Sequence, residues 1–195
     1  MRRILTAIAR DETGATIVEF ALVLPVLALV LIGIFDVGFN MYAGAVLRGV
    51  MNEAGRDSTI EAATTGSIDK QVRDAVQDIV PGATVTFTRR AYSSFTDVKR
   101  AEDYTDVNGD GTCNNGEPFE DANTNGVYDT DRGIDGQGGA RDAVLYTATM
   151  SYKRMFPLAG FAGVSDTYEL SSATVLRNQP YDNTLAGAPP VGNCP

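Results

Sequence analysis

The chain has 195 residues, 25 acidic against 16 basic, a formal net charge of −9, and neither histidine nor tryptophan. No basic stripe exists to follow a phosphate backbone, which excludes nucleic acid as a partner, and the missing histidine removes the commonest metal ligand and general base. There is no Ser-His-Asp or Cys-His arrangement, no phosphate-cradling glycine loop and no zinc site, so the composition points away from an enzyme and from a small-molecule substrate. The length allows one membrane helix and one modest domain.

From Phe20 to Phe35 no residue is charged or strongly polar. With Ile17, Val18 and Val37 to Phe39 this makes roughly 20 mostly apolar residues, enough to span a hydrocarbon core as a helix. Pro25 lies within it, tolerated in lipid and expected to kink the segment. Arg2, Arg3 and Arg10 precede the run, and only Arg48 follows it closely. The positive-inside rule therefore keeps the N-terminus in the cytoplasm and sends the chain beyond about Asn40 outward. A cleaved secretory signal would need a short apolar region and an Ala-x-Ala-like site. Ala43-Gly44-Ala45 has the residue types but lies well past the apolar run, inside what reads as a continuing helix.

That helix is expected to run on to about residue 60 as an amphipathic segment, with Phe39, Tyr42, Val46, Val50 and Ala54 as its apolar stripe. Residues 62–66 read as a breaker. Ser67 then suits the N-cap of a second helix, with Ile68, Val72, Ala75, Val76 and Ile79 on one face and Pro81-Gly82 ending it. The period next changes to two. Residues 83–95, 143–152 and 168–177 read as strands, the second presenting Val144, Tyr146, Ala148, Met150 and Tyr152 on one face. Three strands against amphipathic helices give an α+β fold, a small antiparallel sheet carrying a long acidic loop between strands. The predicted organisation is a leader over 1–14, a membrane and long-helix segment over 15–60, an α+β domain over 61–177 with its acidic loop at 97–142, and an extended, loosely ordered tail over 178–195.

The acidic loop carries a recognisable spacing. Asp106, Asn108, Asp110, Gly111 and Glu117 satisfy D-x-[DN]-x-[DN]-G-x5-E, the pattern of a calcium-binding loop. Oxygens at positions one, three and five converge on a hard cation, Thr112 at seven offers its carbonyl, glycine at six allows the sharp turn, and the acid at twelve can bind through two oxygens. A second copy keeps Asp121, Asn123, Asn125, Gly126 and Asp129 but has Arg132 at position twelve, where Asp129 or Asp131 would have to substitute. Without metal, the same Asn, Asp and Gly would build a solvated, turn-rich insertion. Between Asp97 and Asp142 sit 12 of the chain's 25 acids and four basic residues, a concentration that favours a structural calcium ion. The two cysteines, Cys113 and Cys194, are candidates for a disulfide in an oxidising compartment. An enzyme using Asp129, Asp131 and Asp135 would need a carboxylate cleft that nothing in the spacing supplies.

At the start of the membrane run stand Asp11-Glu12-Thr13-Gly14-Ala15-Thr16-Ile17-Val18-Glu19-Phe20-Ala21-Leu22-Val23-Leu24-Pro25. This stretch resembles the opening of TadE-like pseudopilins of the tight-adherence (Tad, Flp-type) pilus system, with its "DExGA" turn and "VEFALVLP". The resemblance covers about the first 60 residues and implies a pilin-like fold. It also implies cleavage by prepilin peptidase between Gly14 and Ala15, leaving Glu19 fifth and Phe20 sixth in the mature chain. Glycine would let the protease draw the backbone close, and the new amine on Ala15 could be neutralised by a neighbouring subunit's Glu19. Phe20 stands where the major Flp pilin has tyrosine. The implied setting is a single-pass protein of the bacterial inner membrane with a periplasmic domain, whose partners are the prepilin peptidase, other pilins and pseudopilins, and Tad platform proteins. The alternative is an uncleaved, membrane-anchored calcium-binding adhesin or sensor.

Overall fold

The apolar run and the small-residue stretch after it form one helix, α1, Thr13–Asp57. Its 45 residues extend about 68 Å at 1.5 Å per residue, and Pro25 lies inside it. The computed structural model describes residues 13–58, 65–139, 142–156, 160, 163, 165–177 and 189–195. The arginines of the leader and residues 62–64 of the expected breaker lie outside these. After α1 come α2 (Thr65–Ile79), β1 (Thr84–Tyr92), a short 3-10 turn at Phe95–Asp97, β2 (Pro118–Glu120), β3 (Ile134–Asp135), β4 (Ala143–Lys153), β5 (Thr167–Arg177) and β6 (Val191–Asn193).

The chain divides into two compact units. One holds α1 up to Tyr42 together with Arg154–Asp166, the connection between β4 and β5. The other runs from Ala43 to Lys153 and resumes at Thr167.

The second unit is built on a four-stranded antiparallel sheet in the order β3-β1-β4-β5. The register sets Val85 opposite Met150, Phe87 opposite Ala148, and Met150 opposite Leu170, so period-two alternation makes one face apolar and leaves the other to threonine and serine. Val144, Tyr146, Ala148, Met150 and Tyr152 are all buried, as the alternation requires. Both helices cover that face. Gly55 of α1 lies against Thr174 of β5, where an added Cβ would sit 2.9 Å from the threonine hydroxyl. Asp69 of α2 accepts hydrogen bonds from Arg89 of β1 and from the hydroxyl of Tyr146 of β4, the latter at 2.7 Å. Burial, reinforced by the Asp69 carboxylate, holds the Tyr146 proton far above the usual phenol range.

Several boundaries differ from the sequence expectation. Ala54 is buried as expected, but the rest of the buried stripe of α1 is Ala43, Leu47 and Met51, one residue round from Tyr42, Val46 and Val50, and Tyr42 is exposed. Small side chains at 43 and 54 let the helix approach the sheet, and packing of backbones outweighs side-chain hydrophobicity there. In α2 Ile68, Val72 and Val76 of the predicted face are buried and Ala75 and Ile79 part-buried, but the helix starts at Thr65, so Ser67 lies inside its first turn. Where the first turn forms is decided by docking of Ile68 more than by the weak preference of a hydroxyl. The first predicted strand stops at Tyr92, and Phe95 belongs to the 3-10 turn. The last predicted segment is not loose throughout. Residues 178–188 lie outside the described residues, but Val191–Asn193 pair antiparallel with Pro118–Glu120.

Candidate functional site

In the first unit, α1 is long and apolar enough to cross a membrane by length and composition. Its large side chains are exposed in the isolated chain, including Ile17 at 70%, Leu22 at 74% and Phe35 at 66%, as a lipid-facing surface must be. Glu19 and Phe20 are exposed in its first part, while Gly14 and Ala15 fall in its first turn. A second acid, Asp36, closes the apolar run. Glu19 and Asp36 stand about 26 Å apart along the axis at 1.5 Å per residue, slightly less than a hydrocarbon core of about 30 Å. Asp36 accepts a 2.6 Å hydrogen bond from Arg154, and both side chains are largely covered, at 14% and 13% exposure.

In the second unit the acidic segment is a pair of turns with one pattern. In the first, Asp106 accepts the Gly111 N–H, Asn108 the Asp110 N–H, and Asp110 the Thr112 N–H. In the second, Asp121 accepts the Gly126 N–H, Asn123 the Asn125 N–H, and Asn125 the Val127 N–H. Positions one, three and five thus cap six, five and seven in both. Positions four and six are left-handed in both: Gly109 and Gly111 at φ 76° and 75°, Thr124 and Gly126 at 60° and 81°. Glycine carries that conformation without cost; Thr124 carries it against the preference of a β-branched residue.

The acids at the end of each turn were only half legible. Glu117, at position twelve, accepts N–H groups from Val107 and Asn108 on one oxygen and from Asn114 on the other. The second turn has Arg132 there, but Glu102 does the equivalent work from upstream. Its oxygens accept the N–H groups of Ala122 and Asp129, positions two and nine, at 2.8 and 3.0 Å. Both glutamates are buried, at 2% and 4% exposure, as is Asp121 at 5%. Sequence spacing missed Glu102 because no register links it to its turn; the one signal is an acid lacking at 132 and a spare one nearby.

Asp131, counted in the sequence among the second turn's donors, is held elsewhere. It accepts hydrogen bonds from Arg90 at 2.6 Å and from the Tyr92 hydroxyl at 2.9 Å. Burial alone would raise its carboxyl, but Tyr92, the Gly133 N–H and Arg90 together keep it below the ordinary range. Tyr92 is pushed up to about 12, by burial first and by Asp131 second. Arg132 turns to Asp97 and Asp103, at 3.3 and 3.2 Å. Burial would raise Asp97 too, yet hydrogen bonds from Ser94 and Ser93 and the charge of Arg132 lower it. Asp129 accepts the side-chain amides of Asn123 and Asn125. Asp110 accepts those of Asn114 and Asn108, which with the Thr112 N–H hold its carboxyl low. With the carboxylates so engaged, no three His, Cys, Asp or Glu side chains among the described residues are grouped to hold a metal.

A small cluster ties the turns together. Phe119 of β2 is buried, and Tyr128 of the second turn packs edge-on against both it and Tyr104. Cys113 is bonded to Cys194, with Cα atoms 5.3 Å apart, and the Cys194 N–H donates to the Glu117 carbonyl at 2.8 Å.

The model of the TadE-like protein family matches residues 14–56. No curated protein and no solved structure matches the chain. The matched stretch begins at Gly14 and ends one residue short of the end of α1, so it is the long helix that carries the likeness. The chain thus carries a TadE-like segment over residues 14–56, less than half of its length.

Proposed function

We propose that this protein is a minor pilin-like subunit of a Tad-type pilus assembly or secretion system, cut between Gly14 and Ala15 by prepilin peptidase. The observation that carries the reading is the coincidence of the TadE-like match with its start at Gly14, five residues ahead of Glu19 and the apolar run. Before processing the chain is a single-pass protein of the inner membrane with its domain in the periplasm, the arginines of the leader setting that orientation. After processing, the Ala15 amine and a neighbouring subunit's Glu19 neutralise one another as α1 packs among other pilins, pseudopilins and platform proteins. Intact mass and N-terminal sequencing of the protein from native membranes test this. A chain beginning at Ala15 is expected; one still beginning at Met1 with the peptidase present replaces the proposal with a permanently anchored domain.

The outer domain is further proposed to be stabilised by calcium. Asp106, Asn108, Asp110, the Thr112 carbonyl and Glu117 would hold one ion. Asp121, Asn123, Asn125 and Asp129, with Glu102 in place of the acid at twelve, would hold another. All are oxygen donors of the kind a hard cation takes, and the matching turns support treating both segments alike. Binding exchanges the asparagine amides now on Asp110 and Asp129 for the ion. Extracellular loops of this class bind at about 10⁻⁴–10⁻³ M, so the melting temperature should rise on adding millimolar calcium after chelation. An unchanged melt, with no heat of binding, removes the ion from the proposal and leaves the pilus reading standing.

A further inference from the structure

Between Arg154 and Asp166 the sequence has no charged residue and, Ser165 apart, no polar side chain. Phenylalanine occurs there twice, at 156 and 161, with Met155, Leu158 and Val164. Such a connection between two strands is unusual, since loops facing water are polar. Its described start is not tucked away: Met155 is 58% exposed.

Arg154 fixes where this connection begins. Its backbone N–H donates to the Asp166 carbonyl at 2.8 Å and its Nε–H to the Ser165 carbonyl at 2.7 Å, which closes the base of the connection. Its Nη1 reaches Asp36 at 2.6 Å. Asp36 directly follows the apolar run of α1, so the one guanidinium joins the two ends of the connection to the C-terminal end of the span. A lone aspartate there would be costly against lipid, and a paired one is the usual form.

We infer that Met155 and Phe156, which open the β4–β5 connection, lie in the boundary between lipid headgroups and acyl chains, at the level where α1 leaves its apolar run at Asp36. The occupant of their surface is lipid, because Arg154, directly before them, is tied to Asp36 at the level where the span ends. An uncharged aromatic and an uncharged sulfur side chain suit that boundary. The inference rests on the reading of α1 as a membrane span.

The test uses the full chain, disulfide intact, in phosphatidylethanolamine–phosphatidylglycerol vesicles. An environment-sensitive fluorophore is placed at Met155→Cys, with Leu27→Cys in the span and Val127→Cys in the acidic region as references. Nitroxide on the acyl chains is expected to quench the labels at 27 and 155 several-fold more than the label at 127, with blue-shifted emission at both. Quenching at 155 no greater than at 127, with 27 still quenched, overturns the inference and leaves the span intact. A label at 155 shielded from both lipid nitroxide and aqueous iodide also overturns it, in favour of a second copy covering the loop. Absence of quenching at 27 fails the span itself.

Discussion

Glu102 and Glu117 hold equivalent places in two successive turns, each accepting the backbone N–H groups of its turn's second and ninth residues. The acid at 117 arrives from the end of its own turn, the acid at 102 from a segment that precedes both.

Removing either should cost stability through the donors left behind. Glu102→Ala strands two N–H groups beside a buried site, and an unmet buried donor costs about 1–3 kcal/mol. The variant should lower the melting temperature in chelator as well as in calcium, whereas Glu102→Gln, which keeps one accepting oxygen, should lose less. Equal stability of Glu102→Ala and wild type in chelator would show that the buried carboxylate has no structural role.

Reduction of the Cys113–Cys194 bond opens a loop with a sequence separation of 81. The chain-entropy model gives about 4.5 kcal/mol for that closure. Reduced protein, or Cys194→Ser, should lose amide protection first at Val191–Asn193 and Pro118–Glu120, with β4 and β5 protected as before. Uniform loss across the sheet would mean that the unit unfolds as one.

Tyr92 and Asp131 make stability depend on pH at both extremes. Asp131 and Asp97 are depressed in the folded state, so their contribution is complete above the unfolded carboxyl range, about 3.9, and disappears as pH falls through their lower folded values. Tyr92 is raised to about 12 from an ordinary 10, so its contribution is complete below pH 10 and is lost as pH rises towards about 12. Asp131→Asn should bring Tyr92 down towards its ordinary value in a ring-resonance titration, and an unmoved titration would dismiss the coupling.

Gly192 lies opposite Phe119 in the β2–β6 pair, where an added Cβ would fall inside the ring's van der Waals surface. Gly192→Ala should therefore destabilise the acidic region by about 1–3 kcal/mol, the usual cost of overpacking. Gly55→Ala meets the Thr174 hydroxyl and should be partly relieved by Thr174→Ala. Denaturant midpoints of the two variants and the double mutant check both.

What the sequence disclosed followed periodicity. The alternation of β4, the face of α2 and the length of α1 are written in local hydrophobic spacing, and the turn at Asp106 in a fixed register of oxygens. Only the first part of the α1 stripe lies one residue off, because local hydrophobicity favours Tyr42 and Val46 while close packing on the sheet favours Ala43; Ala54 is on both. Glu102, Asp131 and β6 depend on partners distant in sequence: Ala122 and Asp129, Arg90 and Tyr92, and Pro118–Glu120. No window around any of them announces such a partner, so only the fold reveals which acids are engaged and which turn each one serves.

The pairing of residue 118 with residue 193 has a kinetic consequence. Joining segments so far apart costs loop-closure entropy before any contact repays it, whereas β4 and β5 are joined by the much shorter connection Arg154–Asp166 and can zip earlier. The acidic turns should accordingly be the last part of the chain to settle, held open by their own carboxylate repulsion until Cys194 meets Cys113. A chain kept reduced would pass through its biogenesis with a finished sheet and an unfinished polyanionic flap exposed to proteases.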